Sequence, residues 1–166
     1  MSDWREMLAA AIEESGSLVV LGVGNELMGD DGAGTLAAKL LRIFEIRNSK
    51  FEIIVYEAGT TPENFTGPIS RIKPDLVLMI DAADMGLKVG EVAWLEPQSM
   101  GSMMHTTHNM PLSFLAEYIR RTAGCQVGAI GIQAGRIDLD STVSPEVAEA
   151  CRQVAQAVGS AVERRK

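Results

Sequence analysis

Two adjacent aspartates, Asp30 and Asp31, sit in the glycine-rich stretch GVGNELMGDDGAG, which runs from Gly22 to Gly34. A third aspartate, Asp81, closes the otherwise apolar run LVLMID. The only two histidines, His105 and His108, lie together in MMHTTHNMP. Two carboxylates and one imidazole drawn from three such segments form an O/O/N donor set for a borderline divalent ion, with coordination positions left open for water or substrate. Spacing alone makes this a weak signal. The bland readings are a helix-capping or solvated aspartate at 30 and 31, a turn-capping aspartate at 81 (a role Asp84 could fill instead), and solvated loop histidines.

A glycine-rich turn between strand and helix usually binds phosphate. This one departs from that pattern. The dinucleotide fingerprint needs glycine at its first, third and sixth positions. Gly22 and Gly24 supply the first two, but Leu27 stands at the sixth. Paired carboxylates next to the helix start would repel a pyrophosphate and suit a cation or a proton. No GxxxxGK[ST], HExxH or GxSxG motif occurs, and neither cysteine has the surroundings of a Cys-His pair.

The elements that must carry these residues follow from periodicity. A helix is expected over 3–15, with Trp4, Met7, Leu8, Ala11 and Ile12 on one face. Strands are expected at 18–23, 51–57 (FEIIVYE), 76–81, 92–96 (VAWLE) and 126–133 (QVGAIGIQ). Helices are expected over 33–46 (Leu36, Leu40, Leu41 and Phe44 apolar), 62–72 with Thr61 as cap and Pro62 first, 111–123 with Leu112, Leu115 and Ile119 buried, and from Ser144-Pro145 to the C-terminal region. The link between the third and fourth strands is too short for a parallel crossover, so the fourth should be antiparallel. Residues 97–109 read as a polar, Met-rich loop. The result is an α/β fold: a three-layer, twisted, mostly parallel five-stranded sheet with helices on both faces, in one domain over 1–166. Ligands of such sheets bind outside the carboxyl ends of the strands. That rule selects the turn after strand one, Glu57 and Asp81.

Composition narrows the classes. The chain has 166 residues and 46% hydrophobic content, enough for a core, and a net charge of −7 that argues against a nucleic-acid surface. No stretch has the length of a membrane span and no signal peptide is apparent, which reads as cytoplasmic. Cys125 and Cys151 read as buried thiols.

Taken in order, GVGNELMGDDGAG, TTPENF, IDAADMGLKVGEV and TTHNMPLSFL resemble the nickel-iron hydrogenase maturation endopeptidases, closest to the subgroup that processes the large subunit of hydrogenase 3. The resemblance covers about residues 17–160 and leaves the 3–15 helix as an addition. It implies a monomeric protease that removes a C-terminal extension from the precursor of a nickel-iron hydrogenase large subunit after nickel insertion. It further implies that Asp31, Asp81 and His108 contact the metal, that the nickel arrives with the substrate, and that other divalent metals could take its place in vitro. His105 matches none of these positions. Gly24 and Asn25 match the turn that shapes the site. Many members carry Asp-Gly-Gly after the second strand where this chain has Glu57-Ala58-Gly59; Gly59 and Thr60 still match a substrate-contacting turn. The metal would polarise the scissile carbonyl or activate a water; alternatively Asp31 or Asp81 is the general base and nickel serves only recognition. Two rivals stand beside this reading: an α/β module that binds a nucleotide or small ligand without proteolysis, and a chaperone that holds the immature large subunit through Met100–Met110.

Overall fold

Continuous apolar runs, rather than alternating ones, build the centre of the molecule. The computed structural model describes residues 3–47, 51–103 and 111–165. Its five strands are β1 (Ser17–Val23), β2 (Glu52–Gly59), β3 (Leu76–Ala83), β4 (Val92–Leu95) and β5 (Gln126–Gln133). They form one sheet in the order β2-β1-β3-β5-β4. Every residue of β3 is buried, as a strand covered on both faces requires. Four strands run parallel, and β4 lies antiparallel against β5 at the edge, as its short connection demands.

The helices are α1 (Trp4–Glu13), α2 (Ala33–Arg47), α3 (Thr66–Ile72), α4 (Met100–Met103), α5 (Leu112–Ala123) and α6 (Pro145–Glu163). On one face α1, α2 and α6 bury Leu8, Ile12, Leu41, Val154 and Val158 against Leu18, Val20, Leu78 and Ile80 of the sheet. On the other, α3 and α5 bury Ile69, Leu112, Leu115 and Ile119 against Val19, Leu21, Val77 and Met79. The two-residue alternation of the strands assigns each side chain to its layer.

The expected elements are present with local differences, among them that β2 runs on past Glu57 to Gly59. The helix expected from Pro62 begins as a 3₁₀ turn, Pro62–Phe65, before α3, and Thr61 makes no side-chain cap bond. Its end is a left-handed Lys73 (φ 51°). Residues 97–103 are not loop: a 3₁₀ turn at Pro97–Ser99 leads into α4, and Met100 is fully buried. Finally, β3 continues two residues past Asp81, because Ala82 and Ala83 pair with Ile132 and Gln133 of β5. The side chain of Phe44 lies outside the described residues.

Both cysteines are buried and unbridged. Burial, with Asp30 adding a like-sign charge, pushes the Cys151 thiol up to about 12, and its Sγ donates to the Ala33 carbonyl at 3.2 Å. Cys151 thus packs α6 onto the start of α2 and offers no nucleophile.

That start of α2 is the tightest joint in the fold. A Cβ on Gly34 would sit 2.0 Å from the Ile80 carbonyl oxygen and 2.2 Å from that of Val23. Only glycine lets the helix approach the ends of β1 and β3 this closely. Replacing Gly34 by alanine should therefore lower unfolding stability by about 3 kcal/mol, the upper range for overpacking, measured by urea denaturation.

Candidate active site

The sheet order places β1 between β2 and β3, so the chain leaves β1 toward one side and returns on the other. Such a switch point opens a crevice at the carboxyl ends of the strands. The ladder between β1 and β3 ends at the pair Gly22–Ile80. Asp81 is the first residue of β3 beyond it. By alternation it points to the same layer as Val77 and Met79, the side covered by α3 and α5.

The turn after β1 closes over this point. Gly24 has φ +142°, and a Cβ there would lie 2.0 Å from the Asp31 carbonyl oxygen and 3.6 Å from Asp81 Oδ1. Its amide donates to the Gly59 carbonyl at 2.9 Å, which ties the turns after β1 and β2 together. Thr35 Oγ1 donates to the Gly24 carbonyl at 3.0 Å. Asn25 folds as an Asx turn: its Oδ1 accepts from the Leu27 amide at 3.0 Å, while its own amide donates to Asp31 Oδ2 at 3.1 Å. Asp30 and Asp31 occupy a 3₁₀ turn, Gly29–Gly32.

Asp31 and Asp81 are thereby brought together out of water, at 1% and 0% exposure. Burial first, and then the neighbouring Asp31 charge, hold the Asp81 carboxyl well above the usual range; the Ala82 amide, donating to Oδ1 at 2.8 Å, opposes them. A carboxyl that resists ionisation in the free protein, beside a second carboxylate, suits a cation or a proton at the junction. Among the described residues no three His, Cys, Asp or Glu side chains form a complete metal cage. His108 and His105 lie outside the described residues.

The other expected site residues take distinct places. Gly59 sits at the end of β2 with φ +60° and bonds Gly24, and Thr60 follows it. Glu57 is turned to α2, where it pairs with Arg42 at 2.8 Å and Lys39 at 4.0 Å; Lys39 also pairs with Glu26. Asp84 accepts from the Gly86 amide at 3.5 Å, so the turn-capping role falls to it and not to Asp81.

Sequence reasoning left Asp30 as a cap or a solvated group. It is 0% exposed and caps no part of its own helix. Its carboxylate accepts from the amides of Gly135 (2.9 Å), Arg136 (3.0 Å) and Ser144 (2.7 Å), and from Ser144 Oγ (3.1 Å). Those partners are more than 100 residues away, so no local pattern reveals them. Gln133 was also missed. Its Oε1 accepts from the Met85 and Leu87 amides at 2.7 and 3.2 Å, fixing the loop that follows β3.

Fold and site together define an α/β protein with a buried acidic junction at its strand ends. A family model described as hydrogenase maturation protease matches residues 34–161. The hydrogenase 3 maturation protease of Escherichia coli K12 is 36% identical over 139 residues, 83% of this chain and 86% of that protein. A crystal structure of the [NiFe] hydrogenase maturation protease HycI from Thermococcus kodakarensis superposes with a TM-score of 0.85 at 28% identity, over 95% of this chain and 99% of the other. The solution structure of the endopeptidase HycI from Escherichia coli gives 0.74 at 33% identity, over 87% and 90%. The chain belongs to the hydrogenase maturation protease family and is an endopeptidase.

The protonation of Asp81 has a measurable sign. Its folded pKa lies above its unfolded value near about 4. As pH rises past that value the unfolded chain releases the proton while the folded site retains it, so stability falls. Asp81→Asn keeps the shape and removes this penalty. The variant should melt higher than the parent protein at pH 7, and the gain should shrink to nothing as pH is lowered through about 4, followed by thermal denaturation in the absence of added metal.

Proposed function

We propose that this endopeptidase removes the C-terminal extension from a nickel-loaded precursor of a nickel-iron hydrogenase large subunit. Asp31, Asp81 and His108 are the residues that meet the substrate's nickel. The observation that carries the reading is the buried pair Asp31–Asp81, in which the neighbouring charge and burial raise the Asp81 pKa. A cation delivered by the substrate relieves both effects at once. It displaces the Asp81 proton and offsets the repulsion between the two carboxylates. The donor set is two oxygens and one nitrogen, chemistry acceptable to nickel. Chain connectivity supports His108 as the third donor: Pro111, three residues on, opens α5, whose Leu112 is buried on the same face of the sheet to which Asp81 points.

The substrate's nickel then acts as a checkpoint, because only a loaded precursor completes the site. The scissile peptide would lie across the turns that end β1 and β2, where Asn25, Gly59 and Thr60 reach the surface and the buried Gly24 shapes the turn beneath them. Glu57, held by Arg42 and Lys39, lines that path from the α2 side. The carboxylate freed when Asp81 ionises is positioned to accept a proton from an attacking water. The protein works as a cytoplasmic monomer. Among the described residues no helix is long and apolar enough to cross a membrane.

Cleavage of purified precursor, followed as loss of its tail on a denaturing gel, tests this reading. Asp31→Ala, Asp81→Ala and His108→Ala should each reduce the rate by at least about 100-fold, the scale of losing a metal contact, while each still unfolds cooperatively. Nickel-free precursor should stay uncut. Ready cleavage by all three variants, or of the nickel-free precursor, would remove the assignment.

A further inference from the structure

Among the described residues, Asp30 is the fully buried carboxyl group that the proposed chemistry does not use. The donors to its carboxylate all come from one segment, residues 135–144, which connects β5 to α6. Besides the four bonds to its carboxylate, the Asp30 amide donates to the Arg136 carbonyl at 2.8 Å. Around it the Gly29 amide donates to the Ser141 carbonyl at 3.0 Å, and the Asp140 amide to the Leu27 carbonyl at 2.7 Å. Met28 and Ser141 form an isolated parallel bridge. The turn that carries Asp31 is therefore stitched along its length to a second strap of backbone, and Asp30 is the centre of the stitching.

Asp31 by contrast is held lightly at its side chain. Among the described residues its carboxylate accepts from the Asn25 amide. Its position is set by the backbone of the turn, and adjacent Cα atoms are rigidly linked at about 3.8 Å. We propose that Asp30 is a positioning residue: by fastening the 135–144 strap to the glycine turn it fixes where the Asp31 carboxylate stands relative to Asp81. The proposal deepens the protease reading, and its catalytic consequence rests on it. The two aspartates divide the work. Asp31 meets the substrate, and Asp30 gives Asp31 its address.

Ser144→Pro is the informative variant. Ser144 has φ −64° and ψ 156°, angles that proline can take, and its side chain makes no cap bond to α6; the ring Cδ, standing where the amide hydrogen now points at Asp30 Oδ1, pushes the carboxylate off its seat. The substitution removes the amide and hydroxyl donors, two of the four bonds to the Asp30 carboxylate. It leaves the Ser144 carbonyl free to accept from the Ala148 amide as before. Asp30→Asn, which keeps the size and replaces one acceptor oxygen by a donor, is its companion.

Amide hydrogen exchange reads the consequence without reference to catalysis. In Ser144→Pro the Asn25 amide, which reports the Asp31 contact, should exchange at least about tenfold faster, while Leu78 in the core of β3 keeps its protection. On nickel-loaded precursor, kcat should fall at least about tenfold with KM within about twofold, the signature of a misplaced group rather than lost binding. Asp30→Asn should show the same pattern where it folds; if it does not fold, Ser144→Pro decides. Unchanged Asn25 exchange with unchanged kcat overturns the proposal. So does equal loss of protection at Asn25 and Leu78, which would mean a role in global stability alone. Should the unsubstituted protein fail to cut the precursor, the protease reading falls, and the exchange at Asn25 still decides the role of Asp30.

Discussion

The structure is organised around keeping two carboxyl groups together out of water. Asp31 and Asp81 are buried at the junction of β1 and β3, and burial with the Asp31 charge raises the Asp81 pKa. Desolvation and like charge both act against this arrangement. It persists because the surrounding backbone has no alternative. Gly34 lets α2 press onto the carboxyl ends of β1 and β3, and Gly24 lets the turn pass within contact of Asp31. Thr35 and Gly59 then hold Gly24 in place.

Neighbouring residues of a 3₁₀ turn point about 120° apart. This simple geometry lets one turn serve two purposes. Asp30 faces the 135–144 strap and satisfies four donors there. Asp31 faces the strand ends. Four donors offset the cost of burying the Asp30 carboxylate. The same sequence pair thus contains an anchoring carboxylate and the one proposed to meet the substrate, told apart by what the rest of the chain brings to each.

That difference also marks what the sequence could reveal. The sheet was legible because β1, β3 and β5 are apolar runs flanked by glycine and polar turns, a pattern that depends on local residues. The antiparallel β4 was legible from connection length. The place of Asp81 was legible in part. Its place at the carboxyl edge could be read, but the strand continues past it because β5 supplies partners for Ala82 and Ala83, and pairing of that kind is not a local property. Glu57 could be placed near the carboxyl end of β2, which runs two residues further to Gly59, whereas its ion pairs with Lys39 and Arg42 depend on how α2 crosses the sheet. Asp30 was the least legible of all, since its partners lie beyond β5. The family resemblance supplied the choice of Asp31 over Asp30, which residue types alone left open.

Stability and function pull apart at Asp81. Asparagine there would have nearly the same size and carry no ionisation penalty. The carboxyl can exchange its proton for a cation and the amide cannot. Cation binding at such a site must release a proton, and its affinity must therefore rise with pH until Asp81 would ionise unaided. A pair that resists ionisation when alone and yields to a metal is selective by construction, because the free site competes with its own proton. In the proposed function the acid at 81 serves the arriving cation, which an amide at the same place could not do.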